Sequence, residues 1–388
     1  MGCALAAPTA AAPPDPSSAP TPATPQEANY SLKPGGVAPP NVTALSWVVA
    51  DANTGAILAS KNAHTQLPPA STLKTLTALT VAPWLQLDSP YNAIPMDQGQ
   101  EGSRVGLEAG KQYTVKQLFL GLMLPSGNDA ASALANAYKG WSGTLADMNA
   151  QAARVGAKDT VARNPSGLDK NGQVSSAFDL VTIFRELIKN KEIRAIMATK
   201  VAEFPAGKKK TFGIANQDHL LLDNFPGIIA GKTGYTTKAW NTFVAAAERN
   251  GHTLLVSIMR SEGVTETNVA ALFNWGFANI SNVNPVGHLP VAEPDTSNPV
   301  ARPARLLDQQ GNEIAPAAVP AANGTSSETL TPLTGSDVSP GSPIAMANSS
   351  QLSSTAAWIA IGASVVVAML ALVLAWLITR AIHRRHEA

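Results

Sequence analysis

Ser71 and Lys74 stand three residues apart in the run Pro68-Pro69-Ala70-Ser71-Thr72-Leu73-Lys74. Leu73, Leu76 and Leu79 follow at helical spacing, so a helix that starts at Ser71 puts the hydroxyl and the amine on one face, close enough to share a hydrogen bond. A serine hydroxyl is a weak nucleophile at neutral pH. An amine within reach activates it by taking its proton, provided that amine is uncharged. The same residues also read as a Ser N-cap followed by a surface lysine. Two further groupings could complete a site. Ser126 and Asn128 flank Gly127 in what reads as a tight turn between helices, and Lys232-Thr233-Gly234 ends a short apolar run. Taken singly, the first is also an ordinary helix connection with Asn128 or Asp129 as N-cap, and the second a cation at a strand end.

The elements that must position these residues are legible in outline. Residues 45–50 and 55–60 read as strands, joined by turn residues Asp51 to Thr54 ahead of Gly55. The helix at Ser71 comes next. A turn-rich stretch, 102–110, leads to Thr114-Val115-Lys116-Gln117, a capping box that opens an apolar helix over 118–124, stopped by Pro125. Residues 130–138 and 145–155 read as helices, 164–169 as a loop, and Ser176 with Asp179 as the cap of a helix reaching Ile188. Strands return at 227–234, 241–247 and 252–259. The last two are joined through Asn250-Gly251, a pair suited to a type I′ turn, and a final helix covers 269–277. The three chemical groupings thus fall on a helix, on an inter-helix turn and on a strand, in that order, and their joint occurrence carries more weight than any one of them.

In this arrangement the sequence resembles the penicillin-binding D-alanyl-D-alanine carboxypeptidases of low molecular mass, whose active-site residue is a serine. The resemblance covers residues 44–280 and rests on Pro69-Ala70-Ser71-Thr72-Leu73-Lys74, Ser126-Gly127-Asn128-Asp129-Ala130, Asn164-Pro165-Ser166-Gly167-Leu168-Asp169 and Gly231-Lys232-Thr233-Gly234-Tyr235-Thr236. It implies an α/β (α+β) fold like that of the serine β-lactamases, with an antiparallel sheet of about five strands flanked by helices and a helical subdomain. Two residues depart from the family pattern: Leu73, where Thr is frequent, and Trp240, where Gly is usual. The resemblance also assigns roles. Ser71 attacks the carbonyl between two terminal D-alanines, with Lys74 as base. Ser126 passes the proton to the leaving amine, and Asn128 holds Lys74 and the substrate amide. Lys232 and Thr233 bind the terminal carboxylate beside Gly234 and Tyr235, and the backbone N–H groups of Ser71 and Tyr235 form the oxyanion hole. For Lys74 to be the base, its pKa must lie far below the usual value of about 10.4; burial and the neighbouring Lys232 both act in that direction. Peptidoglycan stem peptides are the implied substrates and β-lactam antibiotics the implied covalent inhibitors, with no cofactor and no metal.

Other readings are open to the same scaffold: a D,D-endopeptidase, a β-lactamase, or a wall sensor that acylates without turnover. A class A β-lactamase needs a Glu on a loop between the second and third motifs. Glu186, Glu192 and Glu203 lie in that interval, but without the expected Glu-x-x-Leu-Asn. The six histidines include no His-Glu-x-x-His, which argues against a zinc peptidase, and Cys3 is the one cysteine, so there is no intrachain disulfide. Lys plus Arg number 28 and Asp plus Glu 27, which leaves no basic field for nucleic acid. Residues 1–43 are rich in Ala and Pro and read as disordered, and the first of them look like the small-residue end of a secretory signal. Residues 44–281 are read as the catalytic domain. A Pro/Ala/Ser-rich linker follows over 282–355, with a span on the order of 45 Å across its roughly 70 residues. Residues 356–379 hold an apolar run long enough to cross a bilayer. Trp358 and Trp376 lie near its ends, and Arg380, Arg384 and Arg385 in the tail 380–388 place the C-terminus in the cytoplasm and the catalytic domain outside, anchored through this single helix.

Overall fold

The computed structural model describes residues 27–206 and 210–314. In chain order the strands are β1 Asn29–Leu32, β2 Ala44–Asp51, β3 Ala56–Lys61, β4 Pro90–Asn92, β5 Gln112–Thr114, β6 Val201–Ala206, β7 Lys210–Ala215, β8 Ile228–Thr236, β9 Trp240–Arg249, β10 His252–Ser261, β11 Val283–Asn284 and β12 Gly287–His288. The helices are α1 Lys74–Val81, α2 Pro95–Gln98, α3 Val115–Met123, α4 Asn128–Tyr138, α5 Gly140–Val155, α6 Ala177–Leu187, α7 Lys191–Met197, α8 His219–Leu222 and α9 Thr265–Asn279. Eight strands form one antiparallel sheet in the order β11-β1-β3-β2-β10-β9-β8, with β12 also paired to β3. Its middle strands are apolar at nearly every position because both faces are covered. Trp47, Val49, Phe243, Ala245, Leu254 and Val256 face α9, whose Val269, Leu272 and Phe273 are buried against them. Val48, Ala50, Val244, Ala246 and Leu255 face the helical side. Burying a side chain the size of Phe243 or Phe273 contributes about 1.5–3 kcal/mol.

Helix α1 runs through the middle of the helical side, and all eight of its residues are buried. Its hydroxyls are all satisfied: Thr75 Oγ1 donates to the Thr72 carbonyl at 2.6 Å and Thr80 Oγ1 to that of Leu76 at 2.8 Å, within the helix region, and Thr77 Oγ1 reaches that of Pro165 in the 164–169 loop at 2.6 Å. A helix buried on every side is held by its surroundings rather than by one apolar stripe. The expected caps are present. The Gln117 N–H donates to Thr114 Oγ1 while the Thr114 N–H donates to Gln117 Oε1, and the Asp179 N–H donates to Ser176 Oγ. Asn250 and Gly251 have φ of 51° and 79°, the positive pair that a type I′ turn demands.

Three expectations need correction. The main sheet has eight strands rather than about five, because β1, β11 and β12 are short, largely exposed and without an alternating pattern. Residues 29–32, within the stretch read as disordered, form β1 through backbone pairing with β3 and β11. The segment from residue 282 onward is not a linker at its start. β11 and β12 join the sheet, Leu289, Ala304 and Leu307 are buried, and the Ala304 N–H donates to Ser89 Oγ at 2.8 Å. A few apolar anchors with backbone hydrogen bonds suffice to hold a Pro/Ala-rich segment down. Among the described residues no helix is long and apolar enough to cross a membrane; the segment 356–379 read as membrane-spanning lies outside them.

Candidate active site

Ser71 sits in a 3₁₀ turn, Ala70–Leu73, that runs directly into α1. No side chain caps this turn, so Ser71 is not the N-cap of the ordinary reading. The turn is wedged between backbones. Gly167, at φ +85°, lies so close that an added Cβ would fall 1.8 Å from the Ala70 carbonyl oxygen. An added Cβ at Gly234 would fall 2.7 Å from the Ser71 nitrogen. Both positions exclude any larger residue, and the second presses β8 against the Ser71 amide, which a pair of donors from Ser71 and Tyr235 requires. Thr242 Oγ1 and Thr72 Oγ1 both donate to the Pro69 carbonyl, at 2.9 and 2.6 Å, and fix the approach to the turn.

Lys74 is fully buried, and its Nζ lies 2.9 Å from Ser71 Oγ, 2.7 Å from Asn128 Oδ1 and 2.7 Å from the Ser166 carbonyl oxygen. Desolvation pushes its pKa well below the usual 10.5, and the cation of Lys232 pushes the same way, against a smaller opposing effect of Asp129. A neutral amine has two N–H bonds and one lone pair. The Ser166 carbonyl can only accept. Asn128 Nδ2 donates to the Glu101 carbonyl at 2.6 Å, which turns Oδ1, also an acceptor, toward Lys74. In the neutral form the two N–H bonds go to these partners, and the lone pair faces the Ser71 hydroxyl. That is the geometry of a base.

Asn128 begins α4, and its N–H donates to the Ser103 carbonyl at 2.7 Å. Ser126, just before it, has φ +63° and lines the same cleft as Ser71, and its buried Oγ has no hydrogen-bond partner among the described residues. Lys232 is buried on β8, its Nζ donating to the Thr233 carbonyl at 2.8 Å; desolvation lowers its pKa to about 7, against a smaller opposing effect of Asp218. Asp218 is buried too, and desolvation raises its carboxyl to about 6. Thr233, Gly234 and Tyr235 line the cleft, which encloses about 860 Å3, and Tyr235 is largely exposed at its rim. The structure thus brings all eight sequence-predicted residues to one place. Glu186, Glu192 and Glu203 do not line the cleft. Among the described residues no group of three His, Cys, Asp or Glu side chains could hold a metal ion.

Several contributors escaped the sequence reading. Asp129 accepts the N–H groups of Val105, Gly106 and Leu107 at 2.9, 2.7 and 3.0 Å, clasping the turn-rich stretch onto α4. Ser166 contributes its carbonyl rather than its hydroxyl, Asp218 lies beside β8, and Thr236 Oγ1 donates to Asp169 at 2.8 Å, tying the strand to the 164–169 loop. Asp129 and Asp169 belong to the motif-like runs, and their acidic type beside glycine-rich backbone was the one available signal.

Comparison with known proteins agrees with this architecture. The chain matches peptidase family S11, D-alanyl-D-alanine carboxypeptidase, over residues 34–263. It is 44% identical over 259 residues to the D-alanyl-D-alanine carboxypeptidase DacB2 of Mycobacterium tuberculosis, covering 65% of this chain and 88% of that protein. A solved D-alanyl-D-alanine carboxypeptidase structure from the same organism superposes with a TM-score of 0.64 at 42% identity, over 66% of this chain and 99% of the other. The Streptomyces K15 DD-transpeptidase superposes with a TM-score of 0.60 at 29% identity, over 62% and 100%. The fold is that of the penicillin-binding and β-lactamase-like serine enzymes. The chain belongs to the D-alanyl-D-alanine carboxypeptidase family of peptidases, and its activity is that of a serine-type D-Ala-D-Ala carboxypeptidase.

Proposed function

We propose that Ser71 is the acylated residue and that the enzyme removes the terminal D-alanine from peptidoglycan stem pentapeptides. The observation that carries this is the Lys74 amine, 2.9 Å from Ser71 Oγ, with its two N–H bonds committed elsewhere. Lys74 takes the Ser71 proton as Oγ bonds to the scissile carbonyl carbon. The oxyanion is held by the N–H groups of Ser71 and Tyr235. Ser126, which lines the cleft with its Oγ unpaired, gives its proton to the leaving D-alanine amine as the C–N bond breaks and recovers one from Lys74, which returns the lysine amine to its neutral form. Lys232 and Thr233 hold the substrate's terminal carboxylate, and Asn128 holds the amide of the acyl segment. Water then cleaves the ester and restores Ser71. A β-lactam enters the same sequence, and its ring amide is the bond that opens. Ser71→Ala should abolish covalent labelling by a fluorescent penicillin while the circular dichroism spectrum stays unchanged; persistent labelling would sink the assignment.

The apolar run 356–379 and the arginines after it support a single membrane anchor, with the catalytic domain outside the cell and residues 380–388 in the cytoplasm. Stem peptides lie on that outer side. In whole cells an external protease should spare the bonds after Arg384 and Arg385, and cleavage there would reverse the topology.

A further inference from the structure

Strand β8 ends at Thr236, and β9 begins directly opposite it at Trp240. Trp240 has φ +58° and is 38% exposed. On the neighbouring strand Arg260 has φ +53°, at the point where the β9–β10 register breaks between Ile258 and Ser261. The left-handed region is unfavourable for any residue with a Cβ, and such bulges re-aim a side chain. Here two adjacent irregularities aim at each other: the Arg260 guanidinium carbon lies 5.2 Å from the centre of the Trp240 ring. Among the described residues Arg260 has no carboxylate at ion-pair distance. A guanidinium laid on an indole face keeps its N–H edges free for an incoming anion.

The direction of the substrate follows from the reading given above, on which this inference rests. With the terminal carboxylate at Lys232 and Thr233 and the scissile carbonyl at Tyr235, the acyl side runs along β8 toward Thr236. At about 3.3 Å per residue of extended chain, the residue preceding the two D-alanines arrives at the Thr236–Trp240 end of the strand pair. We propose that Trp240 and Arg260 together read a carboxylate on the side group of that residue, Arg260 donating paired N–H bonds to it and Trp240 holding the guanidinium in place. Lys238, in the β8–β9 turn, adds charge of the same sign, while Glu262 is the one acidic residue of the 260–264 segment. Val264, exposed beside Tyr235 on the cleft lining, supplies an apolar wall for the methylenes of the side group.

The test uses two soluble pentapeptides that differ only in whether that side group ends in a carboxylate or a carboxamide. Their kcat/KM values are compared for the wild-type protein, Trp240→Gly and Arg260→Met. The wild type should favour the carboxylate peptide about fivefold, the scale of a partly exposed ion pair. Both variants should bring the ratio near one and leave the carboxamide rate within about twofold. Trp240→Gly is a sound probe because glycine is at ease at φ +58°, so the melting temperature should not fall. A wild-type ratio of one, an unchanged ratio in the variants, or an equal loss on both peptides overturns the proposal. Fluorescent penicillin labelling separates the two levels: variants that label normally with an unmoved ratio refute the Trp240–Arg260 station alone, whereas labelling of Ser71→Ala refutes the reading beneath it.

Discussion

Replacing Lys232 with methionine should make the protein more stable and much less active. In the folded chain Lys232 titrates at about 7, against 10.5 for a free lysine. Between those values the unfolded chain holds a proton that the folded chain has released. Stability therefore rises with pH across that window, and the full cost of burying the charge is present below pH 7. The gap corresponds to about 5 kcal/mol at about 1.4 kcal/mol per pH unit. This is an upper bound on the gain, since the variant loses the bond from Nζ to the Thr233 carbonyl, worth about 1 kcal/mol, and leaves Asp218 without its cation. Urea unfolding at pH 6.5 should show Lys232→Met more stable than the wild type by roughly 2–4 kcal/mol, with the difference closing as pH approaches 10. Acylation by a fluorescent penicillin should fall by about 10² or more, because the carboxylate loses its charged partner. A variant less stable than the wild type at pH 6.5, or a difference indifferent to pH, would refute the burial argument.

Asp129→Ala removes four backbone hydrogen bonds to the carboxylate, three of them from the 102–110 stretch, and should cost about 3 kcal/mol or more, read as a lower melting temperature together with slower acylation, since Asn128 is tied by its N–H to Ser103 in the released stretch. Gly234→Ala places a methyl 2.7 Å from the Ser71 nitrogen and 2.6 Å from Thr242 Oγ1 and should abolish labelling. Gly213→Ala, with nothing within 4 Å of the new Cβ, should label normally; equal labelling of the two variants would contradict the close approach of β8 to the nucleophile turn.

The chemistry of the site was legible where side-chain type and spacing carry it. Ser71, Lys74, Ser126, Asn128 and Lys232 announce themselves as three short groupings in a fixed order, and α3, α6 and the β9–β10 turn are written in caps and in Asn-Gly. What stayed hidden depends on backbone. The second acceptor for Lys74 is a carbonyl, that of Ser166, and every residue has one. The nucleophile turn is 3₁₀ rather than α-helical, and the backbones packed against it, at Gly167 and Gly234, are far away in sequence. β1, β11 and β12 are held mainly by pairing, with Val283 the one buried anchor among them, and are too short to display a periodicity. Trp240 was visible as a bulky residue at a glycine position, but its partner Arg260 lies on another strand.

The partners of Lys74 lie 3, 54 and 92 residues away along the chain, and Thr242, which pins the nucleophile turn, lies 173 residues from Pro69. Contacts so distant in sequence close late and slowly, so no fragment of the chain contains a working nucleophile. Covalent capture of a penicillin is consequently a clock for folding: the moment a refolding population begins to label is the moment at which its four most distant segments have met.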